Sequence, residues 1–462
     1  MRSEKPVSPL LRSLSRPHGF EPLRVEGRLP ESLRGTLFRA GPGLFERFGQ
    51  RIPHAFEADG AVTAVRFDGS GAWGASRIVE SAGYREEQAA GRFLYSSAAS
   101  WLDRMRLVRK GLSKSTGNTS TFLWKNRLFA LMENSLLQEM DPATLETLAS
   151  TDLGVVSGAF SAHPHRVASL RTTFNFGVRY GRKMEIDLYA LPDAGEPSKL
   201  GTVEAPWHSM VHDFMATERH LILYVGPVKL NLLRAMLGLG DVTQLFQWKP
   251  ELGARLIVVP LDAMDSPRTF ELAPFWTWHF ANAFEDARGP CVDLCRYPTF
   301  SLGEIGELES VGPLPLLTRV KLDLKSGAAH EARLCDIPCD FPQVHPRLHG
   351  ARYSMLFAQT ERHGPDRSIH GVTRMDLERG VNTEWVLPDG QLPTEPVLVP
   401  RGAAQDSAFV LDLVYDAKTE HSYVAVLDGQ HLDDGPLATV HFDQTIPVTF
   451  HGSFAGEGAA SP

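Results

Sequence analysis

Short apolar runs, each closed by turn-forming residues, recur along the whole chain. Arg127–Met132, His220–Val225, Arg255–Pro260, Phe409–Tyr415 and Tyr423–Leu427 are five to seven residues long and rich in β-branched, aromatic and leucine side chains. Gly, Pro, Asp or Asn bounds most of them, which is the signature of strands joined by tight turns. Forty Gly and 32 Pro punctuate the chain, and no Pro/Gly-rich linker divides it. This pattern predicts a closed all-β architecture. No fixed-period repeat stands out, so the pattern alone leaves a propeller and a large sandwich open.

Two segments break the β pattern. Residues 101–114 have helical period with basic polar positions, and residues 230–240 are strongly apolar with one Arg. Each reads either as a cap helix buried against the β domain or as an amphipathic patch that dips into a membrane surface. Residues 1–20 read as a short disordered N-terminal arm and 21–462 as one domain. No stretch approaches the roughly 20 apolar residues of a membrane span.

At 462 residues, 22% charged and 43% hydrophobic, the composition is that of an ordinary soluble globular protein. A net charge of −8 gives no reason to expect nucleic acid or an anionic membrane as a general partner. The four cysteines form two Cys-x-x-x-Cys pairs, Cys291/Cys295 and Cys335/Cys339. Both pairs lie in strand-like stretches and read as buried reduced thiols, which suits a cytoplasmic protein, and a zinc site is the weaker reading.

Of 17 histidines, four sit in distinctive settings: His163 in Ser-Ala-His-Pro-His, His212 in Val-His-Asp-Phe, His279 in Trp-His-Phe-Ala-Asn and His451 in Phe-His-Gly-Ser-Phe. No local helix or loop can gather residues so far apart, whereas a fold wound about an axis can. Neutral imidazole is a good ligand for iron, copper, nickel and zinc. His165, His208, His345 and His349 lie near these segments or in a zinc-like spacing, and read as surface or core residues.

These segments, with Arg34–Pro42, Gly83–Arg92, Gly117–Ser120, Asp340–Pro346 and Glu395–Arg401 in the same order, resemble the carotenoid cleavage oxygenase family, and most of all its bacterial apocarotenoid-cleaving branch. The resemblance implies a seven-bladed β-propeller with iron(II) on its axis, held by His163, His212, His279 and His451, with dioxygen as co-substrate. It places outer carboxylates at Glu133, Asp340 and Glu395, and Thr119 beside the vacant coordination position. Asp340 departs from the family, which usually has Glu there. The shorter side chain requires either a backbone shift or a bridging water. The implied reaction is oxidative cleavage of a conjugated double bond in a lipophilic polyene, giving two carbonyl products, retinal among the candidates. Stilbene-cleaving relatives carry Lys where this chain has Met132, so an apocarotenoid is expected before a hydroxystilbene. Met210, Phe275 and Trp278 flank two of the ligands and read either as lining of the substrate tunnel or as plain core. Three alternatives remain: a stilbene-cleaving enzyme of the same fold, an isomerising retinoid-ester cleavage, and a non-catalytic carotenoid-binding propeller.

Overall fold

A computed structural model describes residues 7–111, 113–302, 313–365 and 367–457. Residues 1–6 of the expected arm, Leu112 of the expected helical segment, and 303–312, Asp366 and 458–462 of the expected domain lie outside the described residues.

Seven antiparallel sheets form the blades of a β-propeller, so the resemblance resolved correctly what the strand pattern left open. Strands Ser120–Trp124, His165–Val167, Phe214–Ala216, Phe280–Glu285 and Cys339–Gln343 lie at the inner edges of blades 2 to 6, and Val397–Pro400 takes that place in blade 7. The two ends of the chain close the ring. Gly452–Gly456 is the innermost strand of blade 1 against Arg34–Leu44, while His18–Pro22 and Arg24–Gly27 edge blades 1 and 7 on the outside. Inner strands of neighbouring blades touch around the axis, and residues just before them face one centre.

The apolar runs have a physical cause. Each blade is sandwiched between two others, so both faces of its middle strands are buried. In His220–Val225, Leu221, Leu223 and Val225 pack toward blade 3, and Ile222 and Tyr224 toward blade 5. Successive side chains of a strand point to opposite faces, and here both faces are core. One apolar cluster fills each of the seven interfaces between blades. Burying each Val, Leu or Phe there contributes about 1.5–3 kcal/mol, which makes the ring rigid enough to hold groups from distant blades in register.

Three expectations change. Residues 7–20 do not trail as an arm. Leu10 and Leu14 are buried, the Val448 amide donates to the Leu10 carbonyl, and Ser15 and Arg16 bond Gln444. The helix over 101–114 exists as α2, Trp101–Lys110, N-capped by Ser100 and closed by Gly111 at φ +61. The segment 230–240 yields only a five-residue helix, Leu232–Met236, because Gly238 and Gly240 take positive φ and end it. Neither helix buries a residue, so the reading of buried cap helices fails for both. A further helix, α1 at Ala82–Ala90, went unpredicted. Ser81 caps its start and Gly91 ends it at φ +63, but its sequence is too polar to show apolar periodicity.

All four cysteines are free and buried in the cluster between blades 5 and 6, as expected of reduced core thiols.

Candidate metal centre

Each blade delivers one residue to the axis, at or just before its inner strand. His451, His163, His212 and His279 come from blades 1, 3, 4 and 5, Thr119 from blade 2, Asp340 from blade 6 and Glu395 from blade 7. A strand is well suited to this task, since a side chain at its entry is fixed by backbone hydrogen bonds on both sides.

The four histidines offer ligand atoms that all lie within 4.8 Å of one another, and they are the only such group of metal-binding side chains among the described residues. All four are 7–8% exposed. The His163 and His212 ring centroids are 4.3 Å apart, and those of His163 and His451 4.6 Å apart. Burial holds the His163, His212 and His451 imidazoles well below their usual pKa, so they stand as the neutral form that binds metals. Burial is also the strongest single influence on His279, but Asp340 beside it, Asp213 and Glu395 together raise its pKa.

Carboxylates sit behind three of the rings. Asp340 Oδ1 accepts from His279 Nδ1 at 2.8 Å, Glu395 Oε1 accepts from His451 Nδ1 at 2.9 Å, and the Glu133 carboxylate abuts His212 Nδ1. With Nδ1 bonded in His279 and His451, Nε2 is the atom those rings have left for a shared centre. His163 shows the complementary sign: its Nε2 is buried with no protein partner. An orphaned buried nitrogen needs a partner, and a metal ion among four imidazoles supplies one. The donor set fits a divalent cation of the iron, copper or zinc type.

Asp340 reaches His279 directly, without a bridging water. The blade 6 strand carries a register irregularity between Asp340 and Gln343, and Phe341 sits at φ +51. A bulge re-aims side chains, and a bulky residue in the left-handed region is a strained one. Asp340 Oδ2 then accepts from the Tyr297 hydroxyl at 2.6 Å, which fixes the carboxylate from its other side. Glu395 is held more elaborately. Gln343 Nε2 donates to its Oε1 at 2.9 Å and the Gly452 amide to its Oε2 at 2.8 Å. The fully buried Arg39 donates to the Glu395 carbonyl at 2.7 Å, to Thr449 Oγ1 at 3.1 Å and to the Phe450 carbonyl at 3.1 Å. Arg39 thus ties the Glu395 loop to the His451 loop. It lies in the quoted Arg34–Pro42 segment, yet no local pattern shows that its partners are more than 350 positions away.

A cavity of about 230 Å³ abuts the centre, lined by Thr119, Met132, Glu133, Met210, Phe176 and Phe246 among others. A second cavity, of about 350 Å³, shares Phe56, Glu57, Met132 and Val242 with it and lies between α2 and the 232–240 segment. None of the four histidines lines either cavity; Ser161, Met210 and Val211, which flank two of them, and Glu133 behind His212 line the inner cavity. Met132 lines it as well. Thr119 lies on it too, its hydroxyl donating to Asn118 Oδ1 at 3.1 Å. Trp278 lines neither cavity and instead sets its ring edge-on against His212 at 4.8 Å. Phe275 also lines neither. It is fully buried against Tyr224 and the Arg296 guanidinium, so its position beside the ligand segment reflects core packing.

The four other histidines have structural partners. His165 Nε2 bonds Asp213 at 2.7 Å, His208 Nε2 bonds the Gly181 carbonyl at 2.8 Å, and His345 caps a short turn by accepting from the Arg347 amide. Burial lowers the His349 pKa to about 4.

A family profile described as retinal pigment epithelial membrane protein matches residues 13–456. The apocarotenoid-15,15'-oxygenase of Synechocystis sp. is 30% identical over 93% of this chain and 92% of its own length. The isoeugenol monooxygenase of Pseudomonas nitroreducens is 26% identical over 93% of each, and the lignostilbene-alpha,beta-dioxygenase isozyme III of Sphingomonas paucimobilis 26% over 94% and 93%. A solved structure of cobalt-substituted Synechocystis ACO superposes with a TM-score of 0.88 at 28% identity, covering 97% of this chain and 98% of that one.

Proposed function

This chain belongs to the carotenoid cleavage oxygenase family, and on that premise we propose that it is an iron(II) dioxygenase cleaving one conjugated double bond of an apocarotenoid to two carbonyl products. The observation that carries the reading is the buried histidine quartet beside an apolar cavity that Thr119, Glu133 and Met210 line. His163, His212, His279 and His451 would hold the ion. Bound there, iron(II) supplies activation of dioxygen. The chain's own residues do the rest. Glu133, Asp340 and Glu395 keep each Nδ1 proton outward, so the imidazoles present Nε2 inward. Thr119 closes in on the axis from blade 2, its methyl restricting access on that side.

The substrate is bound by shape. Met132, Met210, Phe56, Phe176, Val178 and Phe246 give the inner cavity an apolar wall that excludes water and fits a polyene, which offers few polar handles. Met132 favours an apocarotenal or apocarotenol, retinal being among the products, over a hydroxystilbene, because a thioether cannot pair with a phenolate.

The cap supports a place of work at a membrane surface for a cytoplasmic enzyme. No helix of the described residues is long and apolar enough to cross a membrane. Trp101, Leu102, Leu233 and Met236 nevertheless leave at least half of their surface exposed around the outer cavity. Such a patch touches lipid. Sedimentation with lipid vesicles tests it, and loss of binding in a Trp101→Asp, Leu233→Asp variant is expected.

The test of function is anaerobic reconstitution with ferrous iron, then aerobic incubation with apocarotenals, β-carotene and resveratrol, with products read by mass. One aldehyde pair from an apocarotenal supports the reading. Faster turnover of resveratrol overturns the substrate class, and no turnover with full iron favours a binding protein.

A further inference from the structure

We infer that Asp213 is a positioning residue for the metal centre, the one carboxylate that fixes three of the four histidines relative to one another. The inference rests on the proposed reading of His163, His212, His279 and His451 as metal ligands.

Asp213 directly follows His212 and is 4% exposed. Its Oδ1 accepts from His165 Nε2 at 2.7 Å and from the Phe214 amide at 2.8 Å, and its Oδ2 accepts from the Phe280 amide at 2.9 Å. Each donor opens an inner strand or begins within one. His165 lies two residues past His163 in blade 3, Phe214 two past His212 in blade 4, and Phe280 one past His279 in blade 5. A single carboxylate therefore sets the entries of three adjacent blades, within two residues of a ligand each time.

It also answers a gap in the centre. Among the described residues, His163 is the ligand with no carboxylate in hydrogen-bond reach. Its Nδ1 lies 3.9 Å from Asp213 Oδ1, too far for a hydrogen bond but close enough for the negative charge to favour a proton on that side. Asp213 thus does for His163, through charge and through anchoring the strand, what the other three carboxylates do by contact. Only a carboxylate suits the place. Three N–H donors converge on it, and an amide would turn its own N–H2 toward one of them.

Titration with Co²⁺ alone as the probe tests this on the full chain, reading affinity and the visible absorption of the bound ion. Asp213→Asn is expected to lower Co²⁺ affinity about 10- to 100-fold and to shift the absorption bands. His165→Leu keeps the apolar contact with Phe214 but loses the donor, and is expected to weaken binding less. His165→Gln restores a donor and should recover most of that loss. Asp293→Asn is the comparison, since Asp293 is equally buried, is held by Arg319 and Tyr353, and touches no histidine. It should lower thermal stability and leave Co²⁺ affinity unchanged. The inference is overturned if Asp213→Asn and His165→Leu bind Co²⁺ as the unaltered chain does, or if Asp293→Asn loses as much affinity as they do. Should Asp213→Asn not fold, the His165→Leu and His165→Gln pair decides. A failure of the unaltered chain to bind Co²⁺ overturns the metal reading itself, which keeps the two failures apart.

Discussion

Lys114→Met is the substitution whose cost the structure defines most fully. Lys114 Nζ lies 2.6 Å from Asp59 Oδ1 and 2.7 Å from Glu87 Oε2, and Arg47 Nη1 lies 2.9 Å from Asp59 Oδ2 and 3.1 Å from Glu87 Oε2. All four side chains are at most 6% exposed, so two cations and two anions balance inside the cap. The cluster joins blade 1, through Asp59, to α1, through Glu87, and to the segment that leads from α2 into the wall of the outer cavity. Gly83 of α1 has no side chain for good reason, as a Cβ there would stand 2.6 Å from the Lys114 stem. Methionine keeps the stem and deletes the charge, leaving two carboxylates facing one guanidinium. Breaking a buried pair from one side costs about 3–5 kcal/mol. The unfolding entropy of a chain of this length is about 1 kcal/mol per degree, so the melting temperature should fall by about 3–5 °C. Burial already raises the Asp59 carboxyl above its ordinary pKa. A group raised in the folded state contributes stability below its unfolded pKa and loses it as pH rises through the folded one. The deficit of the variant should therefore be larger at pH 8 than at pH 5. Thermal melts at both values check this. A drop under about 1 °C, or one that grows toward acid, would refute the reasoning.

Three further outcomes are expected. Tyr297→Phe removes the 2.6 Å donor to Asp340 and should weaken Fe²⁺ binding in a chelator competition, by less than the roughly 10- to 100-fold expected of Asp340→Ala. Acidification should destabilise the metal-free chain below about pH 6.5, because His163, His212 and His451 have folded pKa values held down by burial and must shed a proton to fold. Metal loading should protect against that loss in melts taken between pH 7 and pH 5. Met132→Lys places a cation in the wall of the apolar cavity and should cut kcat/KM for an apocarotenal at least about 10-fold, since an unpaired buried charge is costly. An unchanged kcat/KM would remove Met132 from the substrate path.

The parts legible in the sequence were those with short-range signatures. Strand runs carry their own pattern, and His163, His212, His279 and His451 sit in segments distinctive enough to identify one by one. The resemblance placed Glu133 and Glu395, and both stand behind a histidine. What stayed hidden depends on contacts between distant positions. Nothing near Arg39 or Lys114 marks them as buried, and Asp213, although it adjoins His212, gives no sign of its bonds to His165 and Phe280. Asp340 could be placed but not resolved, because the bulge that brings it to His279 is a property of strand pairing. Phe275 stayed ambiguous for the opposite reason, since an aromatic residue near a ligand looks alike in a tunnel wall and in a core. The helix α1 left no signature because its buried face is set by the ion cluster at Glu87 and not by apolar period.

The central claim is tested most directly by labelled oxygen. The iron-reconstituted chain would be incubated with an apocarotenal under ¹⁸O₂ in ordinary water, and the products trapped at once to prevent exchange. The account requires one labelled oxygen in each new carbonyl, and a His279→Ala variant that makes neither product. No cleavage by the fully iron-loaded chain, or carbonyl oxygen drawn from water, would contradict it.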